Sequence, residues 1–116
     1  VKEKLLTIRK ICDTYDIPLI FDEIITGCRV PNFTVANWYG IQPDLICMGK
    51  ALAGGYPLSV LGGLKKIMSN RDVFVSYTFS GLPVALYRAI EVMHELDDVT
   101  LQDFWQRAGN FFDCFQ

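Results

Sequence analysis

The chain alternates between amphipathic segments and short runs that are apolar throughout. Residues 2–15 place apolar side chains at three-to-four-residue spacing with charged ones between them, which predicts a helix. Asp16-Ile17-Pro18 ends this pattern, because the residue before a proline avoids the helical conformation. The runs at 18–21 and 44–48 are typical of strands that are buried on both faces, as in a parallel sheet.

Shorter elements connect and follow these two strands. In chain order we expect a loop over 26–33, a short helix over 34–39, a connection over 40–43, a glycine-rich loop over 51–57, a third strand over 58–61 and a helix over 64–71. A segment rich in hydroxyl and aromatic side chains follows over 73–81. Pro83 suits the first turn of a helix that runs to about Leu96.

A last helix is expected from about Thr100, with one strongly aromatic face that needs a partner surface. The residues on that face are Leu101, Phe104, Trp105, Ala108, Phe111, Phe112 and Phe115. The alternation of helices and short buried strands predicts an α/β fold with a largely parallel sheet. In such sheets ligands bind at the carboxyl ends of the strands. Two of the three strands end on charged residues, Asp22 and Lys50, so any chemistry is expected there.

Composition narrows the class of protein without identifying it. The 116 residues are 51% apolar and 21% charged, which indicates one globular domain. The formal net charge of −2 gives no electrostatic reason to expect nucleic acid or an acidic membrane as partner. No apolar run has the length of a membrane span. The chain starts without Met and ends inside an amphipathic segment, so we expect a piece of a longer protein.

The four cysteines lack the spacing of a metal site. They contain no CxxC pair, and His94 is the only histidine, so a zinc site is not expected. Cys12 and Cys47 lie in apolar runs and are interpreted as small core residues. We expect free thiols and a reducing, cytoplasmic compartment.

Lys50 is the first candidate for chemistry. A lysine at a strand end beside a tight glycine turn can be partly desolvated, which favours the neutral amine that forms imines with aldehydes. Gly54 and Gly55 would let the backbone approach a bulky ligand. The alternative is an ordinary surface lysine beside a loop, and spacing alone favours that alternative.

Asp22 and Thr78 are two further candidates for a site that includes Lys50. A carboxylate at the end of a buried strand needs a positive partner, and a protonated pyridine nitrogen is one. The alternative for Asp22 is a helix cap or a paired structural aspartate. Glu23 could pair with Arg29 or orient a substrate. Thr78 and Ser80 precede a predicted helix and suit phosphate binding, although a simple cap or turn explains them as well.

Three segments of the chain resemble a known family. FDEIITGCRV (21–30), YGIQPDLICMGKALAGGYPLSVLGG (39–63) and TFSGLPVA (78–85) are similar, in order and in spacing, to three signature blocks of the class III pyridoxal-phosphate (PLP) aminotransferases. The TGxRV ending and the apolar Ile25 before Thr26 are most similar to the glutamate-1-semialdehyde aminomutase branch. Among the departures from the family pattern, Cys28 replaces a Phe and Leu82 an Asn, while Ala53 and Ser59 stand where glycines are common.

The resemblance implies a fold and a set of roles. The chain would be part of the large PLP-binding domain of a fold-type I enzyme, with a mostly parallel sheet and flanking helices. Lys50 would carry PLP as a Schiff base and move the proton, Asp22 would hold the ring nitrogen, and Ile24 would pack on one ring face. Thr78 would contact the cofactor phosphate from the neighbouring subunit, so a homodimer with a shared active site is expected.

The resemblance also implies how the chain is organised. Residues 1–99 would be the central, incomplete part of the PLP-binding domain, and 100–116 would start the helix that leads to the small domain. A second phosphate-binding loop and the residue that stacks on the other ring face would lie before Val1.

Three hypotheses follow. The leading one is an enzyme that transfers an amino group between a small-molecule donor and a keto or aldehyde acceptor, or moves it within one molecule, in a complete homodimer. The second is a catalytically silent fragment that acts only as a folding or interaction module. The third is an unrelated α/β binding domain in which Lys50 is incidental.

Overall fold

The computed structural model of the chain describes residues 1–69, 78–96 and 98–114. The elements, in chain order, are α1 (Lys2–Tyr15), β1 (Ile20–Asp22), α2 (Val35–Tyr39), β2 (Leu45–Met48), a 3₁₀ turn (Lys50–Ala53), β3 (Val60–Gly63), α3 (Lys65–Met68), α4 (Pro83–Glu95) and α5 (Asp98–Asp113). Expectations for residues 70–77 and for Phe115 lie outside the described residues.

The helices follow the sequence pattern closely. α1 has the predicted bounds and ends at Asp16, which adopts a left-handed backbone conformation with a φ of 52°. α4 begins at Pro83 as predicted. α2 begins after Thr34, whose side chain accepts a hydrogen bond from the Asn37 N–H. α5 starts at Asp98, two residues before the expected Thr100.

The three strands form one sheet in the order β1-β2-β3. β1 and β2 are parallel, as expected, and Asp22 pairs with Cys47 in their register. β3 is antiparallel to β2, so the expectation of a largely parallel sheet holds for only one of these two pairings. The physical reason is the short connection over residues 49–59, because a parallel crossover needs about a dozen residues or more. β3 also begins two residues later than predicted.

The expectation that the strands are buried on both faces is wrong for the described chain. Phe21 is buried in a cluster with Ala36 and Ile41, against which α1 also packs through Leu5. Its neighbour Ile20 points to the opposite side of β1 and is 55% exposed. The described residues therefore cover only one side of β1.

A second core cluster lies beneath the turn that begins with Lys50. It contains Cys28, Leu52, Ala53 and Ala89, so α4 packs directly on the 3₁₀ turn. Gly54 has a φ of 56°, and a Cβ there would lie 3.2 Å from the Arg88 Nε of α4. Glycine therefore suits the end of this turn, because it adopts a positive φ without a steric penalty.

Candidate active site

The parallel pairing of β1 and β2 places two of the predicted site residues at neighbouring strand ends. Asp22 is the last residue of β1, opposite Cys47 of β2. β2 ends at Met48, and Lys50 opens the 3₁₀ turn two residues later. Both residues therefore belong to the edge of the sheet where ligands bind in α/β folds.

Lys50 has an unusual backbone conformation. Its φ is 44°, in the left-handed region that side chains with a Cβ rarely occupy. Its side chain is exposed, and within the described residues its amine makes no hydrogen bond or ion pair. The expected partial desolvation of Lys50 is therefore not met by this part of the chain, because no described side chain covers it.

Only one oxygen of the Asp22 carboxylate accepts a hydrogen bond within the described residues. It is exposed, and Oδ1 accepts a hydrogen bond of 3.1 Å from the Ile24 N–H. This local turn is not a helix cap, and within the described chain Asp22 makes no ion pair. The alternative of a paired structural aspartate is thus not supported, and Oδ2 remains available to a ligand.

Ile24 lies in the wall of a cleft of about 680 Å³ next to these strand ends. Cys47 and Met48 of β2 line the same cleft, together with residues 57–61 and the turn at 79–81. Ile24 also lies over Gly49, since its Cγ2 is 3.7 Å from the position of a Cβ there. Thr78 is exposed and does not appear among the described residues that line the cleft, although the three residues after it do.

Sequence reasoning missed the role of Glu23. This side chain is only 2% exposed, and its carboxylate accepts hydrogen bonds from the start of α2. It does not pair with Arg29, which instead donates to the Ile25 carbonyl. No local signal could have revealed these α2 donors, because they lie a dozen residues farther along the chain.

Cys28 replaces the Phe that the family pattern carries at this position. It belongs to the cluster under the 3₁₀ turn, and burial raises the pKa of its thiol. A protonated, buried thiol acts as a small apolar side chain and not as a nucleophile. The replacement of Phe by Cys28 therefore affects packing and does not change Lys50 or Asp22.

All four cysteines are free, with Cys12 buried as expected and Cys47 half-buried at the cleft.

Comparison with known protein families shows to which family the chain belongs. A family model described as "Aminotransferase class-III" matches residues 1–114. The chain belongs to the class III aminotransferase family. It is 40% identical, over 90% of its length, to the glutamate-1-semialdehyde 2,1-aminomutase of Methanobrevibacter smithii, and 42% identical, over 97% of its length, to that of Chlorobaculum parvum. It spans 25% and 27% of the length of these two relatives.

Solved structures of this family share the fold. An ω-transaminase from Sphaerobacter thermophilus matches 85% of the chain with a TM-score of 0.77 and 31% identity, over 24% of the transaminase chain. The PLP internal aldimine form of the FumI protein from Sphingopyxis sp. MTA144 matches 81% of the chain with a TM-score of 0.74 and 38% identity, over 23% of that protein. The expected fold, part of the large α/β domain of a class III aminotransferase, is therefore confirmed.

Proposed function

We propose that this chain is the PLP-holding part of an aminotransferase or aminomutase, with Lys50 as the residue that carries the cofactor. The observation that supports this most directly is the pairing of β1 with β2, which puts Asp22 and Lys50 at adjacent carboxyl ends of parallel strands. A cationic pyridine ring with an aldehyde requires a carboxylate that accepts from the ring N–H and an amine that reacts with the aldehyde, and this edge offers both.

The described residues fit such a ring. Ile24 offers a half-buried apolar surface in the wall of the cleft, next to the glycine that precedes Lys50. Oδ2 of Asp22 has no described partner and can accept from a ring N–H. The Lys50 amine likewise has no partner within the part of the chain that the structure describes. An apolar wall, an available acceptor and an available nucleophile thus lie on one short stretch of the sheet edge.

PLP, when bound, supplies an aldehyde for the lysine and a ring that withdraws electrons from the amino-bearing carbon of a substrate. Lys50 would provide the amine that holds the cofactor and would then move a proton between the cofactor and substrate carbons. Asp22 would keep the ring nitrogen protonated. Ile24 would fix the plane of the ring through contact with one face.

We further propose a cytoplasmic homodimer in which Thr78 reaches the cofactor phosphate of the neighbouring subunit. This agrees with the exposure of Thr78 and with its place outside the cleft of its own chain. Residues 1–99 would belong to the cofactor domain, and 100–116 would begin the helix to the small domain. No helix in the described ranges has the length and apolar character that crossing a membrane requires.

The assignment of Lys50 is tested by chemical trapping in the purified gene product. Borohydride reduction in the presence of PLP, followed by peptide mapping, should place a pyridoxyl group on Lys50. Lys50→Ala should abolish this label, whereas Lys66→Ala, which removes an exposed lysine of α3, should keep it. A label on another lysine, or none, would refute the assignment.

A catalytically silent fragment is the second candidate. The chain spans only about a quarter of its relatives' length, and both Asp22 and Lys50 are exposed in it. We expect the 116-residue chain alone to bind PLP weakly or not at all and to show no turnover. Reading the coding sequence on both sides of these residues separates the two candidates, and clear transaminase activity of the chain alone would refute the expectation.

A further inference from the structure

Among the described residues, Glu23 is the only charged residue whose side chain is buried. A buried carboxylate is costly unless it is hydrogen-bonded. Both of its oxygens are hydrogen-bonded. Oε1 accepts from the Ala36 N–H at 2.8 Å, and Oε2 accepts from the Val35 N–H at 2.9 Å and from the Thr26 hydroxyl at 2.7 Å. Glu23 therefore ties the end of β1 to the first turn of α2 and to the loop between them.

The backbone of Glu23 is held as firmly as its side chain. Its N–H donates to the Cys47 carbonyl at 2.9 Å, which extends the pairing of β1 with β2. Its own carbonyl accepts from the Gly27 N–H at 2.8 Å. A Cβ at Gly27 would lie only 2.8 Å from that carbonyl oxygen, so the close approach requires glycine.

The residues on either side of Glu23 are Asp22 and Ile24, which we propose contact the cofactor. Side chains alternate at the end of β1, so Asp22 lies on the other side of the strand from Glu23, and Ile24 opens the turn that follows directly. Fixing Glu23 at its N–H, its carbonyl and its carboxylate leaves the two flanking side chains little freedom to reorient.

We propose that Glu23 is a positioning residue for the cofactor site, which it orders by holding Asp22 and Ile24 in place through its bonds to Thr26, Val35 and Ala36. This inference rests on the proposed function. It assigns Glu23 no contact with the cofactor or the substrate. The negative charge matters because three donors converge on two oxygens, and a glutamine amide would turn one of those oxygens into a fourth donor.

The alternative is that Glu23 stabilises the fold and nothing more. Asp44→Asn provides the matched control, because Asp44 also ties elements together through hydrogen bonds but lies at the start of β2, away from the cleft. Glu23→Gln and Asp44→Asn are compared at equal fraction folded, as measured by circular dichroism.

We expect Glu23→Gln in the purified gene product to weaken PLP affinity about tenfold, a loss of about 1.4 kcal/mol, and to slow pyridoxyl labelling of Lys50. Asp44→Asn should leave affinity within about twofold of the wild type. Equal affinities for Glu23→Gln and the control would overturn the inference while the proposed function stands. A wild-type protein that takes no label at Lys50 would refute the proposed function, and the inference with it.

If Glu23→Gln fails to fold, Thr26→Val provides a second test of the positioning role of Glu23. It removes one donor from Glu23 and leaves both α2 bonds in place. We expect a smaller loss of PLP affinity, about threefold, and faster amide exchange at Ile24 than in the wild type. Unchanged exchange together with unchanged affinity would contradict the positioning role.

Discussion

Lys50 occupies a left-handed backbone conformation with a φ of 44°. For a residue with a Cβ this costs about 1 kcal/mol, and residues in such conformations are concentrated at functional sites. α4 packs on the turn that follows, because Ala89 lies in one cluster with Leu52 and Ala53. The left-handed conformation of Lys50 thus opens a turn that packs against α4.

Two substitutions of Lys50 test its backbone strain and its attachment to the cofactor separately. Lys50→Gly should raise the free energy of unfolding by about 1 kcal/mol relative to Lys50→Ala, because glycine adopts a positive φ without a steric penalty. Both variants should lose borohydride-trapped PLP. Urea unfolding of the two purified variants measures the difference. Equal stability would show that the backbone at this position is not strained.

The sequence predicts some site residues far better than others. Lys50 and Asp22 each follow an apolar run, so their place at strand ends could be predicted from pattern alone. Glu23 could not be assigned, because its hydrogen-bonding partners at the start of α2 come close only in the folded chain. The exposure of Lys50 could not be predicted either, since it depends on which elements cover the strand end.

At the level of elements, the Asp44 carboxylate joins α1 to the start of β2. Its Oδ2 accepts from the Leu19 N–H at 2.8 Å and from the Arg9 guanidinium of α1 at 2.6 Å. These interactions, the Leu19 hydrogen bond first, lower the pKa of Asp44 below its usual value. The same pairing raises the pKa of Arg9, which stays charged at every pH that matters.

The lowered pKa predicts an acid-dependent loss of stability. A carboxyl group with a lower pKa in the folded state stabilises the fold above its unfolded pKa of about 4, and that contribution disappears as the pH falls through the folded value. Asp44→Asn should therefore flatten the fall in unfolding free energy between about pH 5 and pH 2. Asp113→Asn, at the exposed end of α5, should keep the wild-type profile. An unchanged acid profile in Asp44→Asn would contradict the role of this group.

Element types could be predicted from the sequence, and the parallel pairing of β1 with β2 was confirmed, but the antiparallel direction of β3 was not predicted. The apolar run before Gly62 has the same appearance whether β3 is parallel or antiparallel. The deciding signal was the length of the connection after Met48, which is too short for a helical crossover. The bounds of α1 and the start of α4 were predicted well, because Pro18 and Pro83 act locally, whereas α3 ends at Met68 and not at the expected residue 71.

At the scale of the whole molecule, the chain exposes more apolar surface than a monomer of its size tolerates well. On α5, Phe104, Trp105, Phe111 and Phe112 are each more than half exposed. The outer face of α4 is apolar too, with Ile90 and Met93 each 54% exposed. Exposed apolar patches of this kind mark interaction sites or cause aggregation. The partner of this surface could not be predicted from 116 residues, because the chain spans only about a quarter of its relatives' length.

The aromatic face of α5 predicts how the 116-residue chain behaves on its own. We expect concentration-dependent self-association, and Phe112→Glu should reduce it, because burying the added charge between copies is unfavourable. Gln106→Glu adds the same charge to an exposed non-aromatic position of α5 and should leave association nearly unchanged. Sedimentation velocity over a range of concentrations measures the effect. If both variants reduce association equally, net charge and not the aromatic face controls it. If only Phe112→Glu does so, α5 presents a specific apolar surface through which copies of the chain associate.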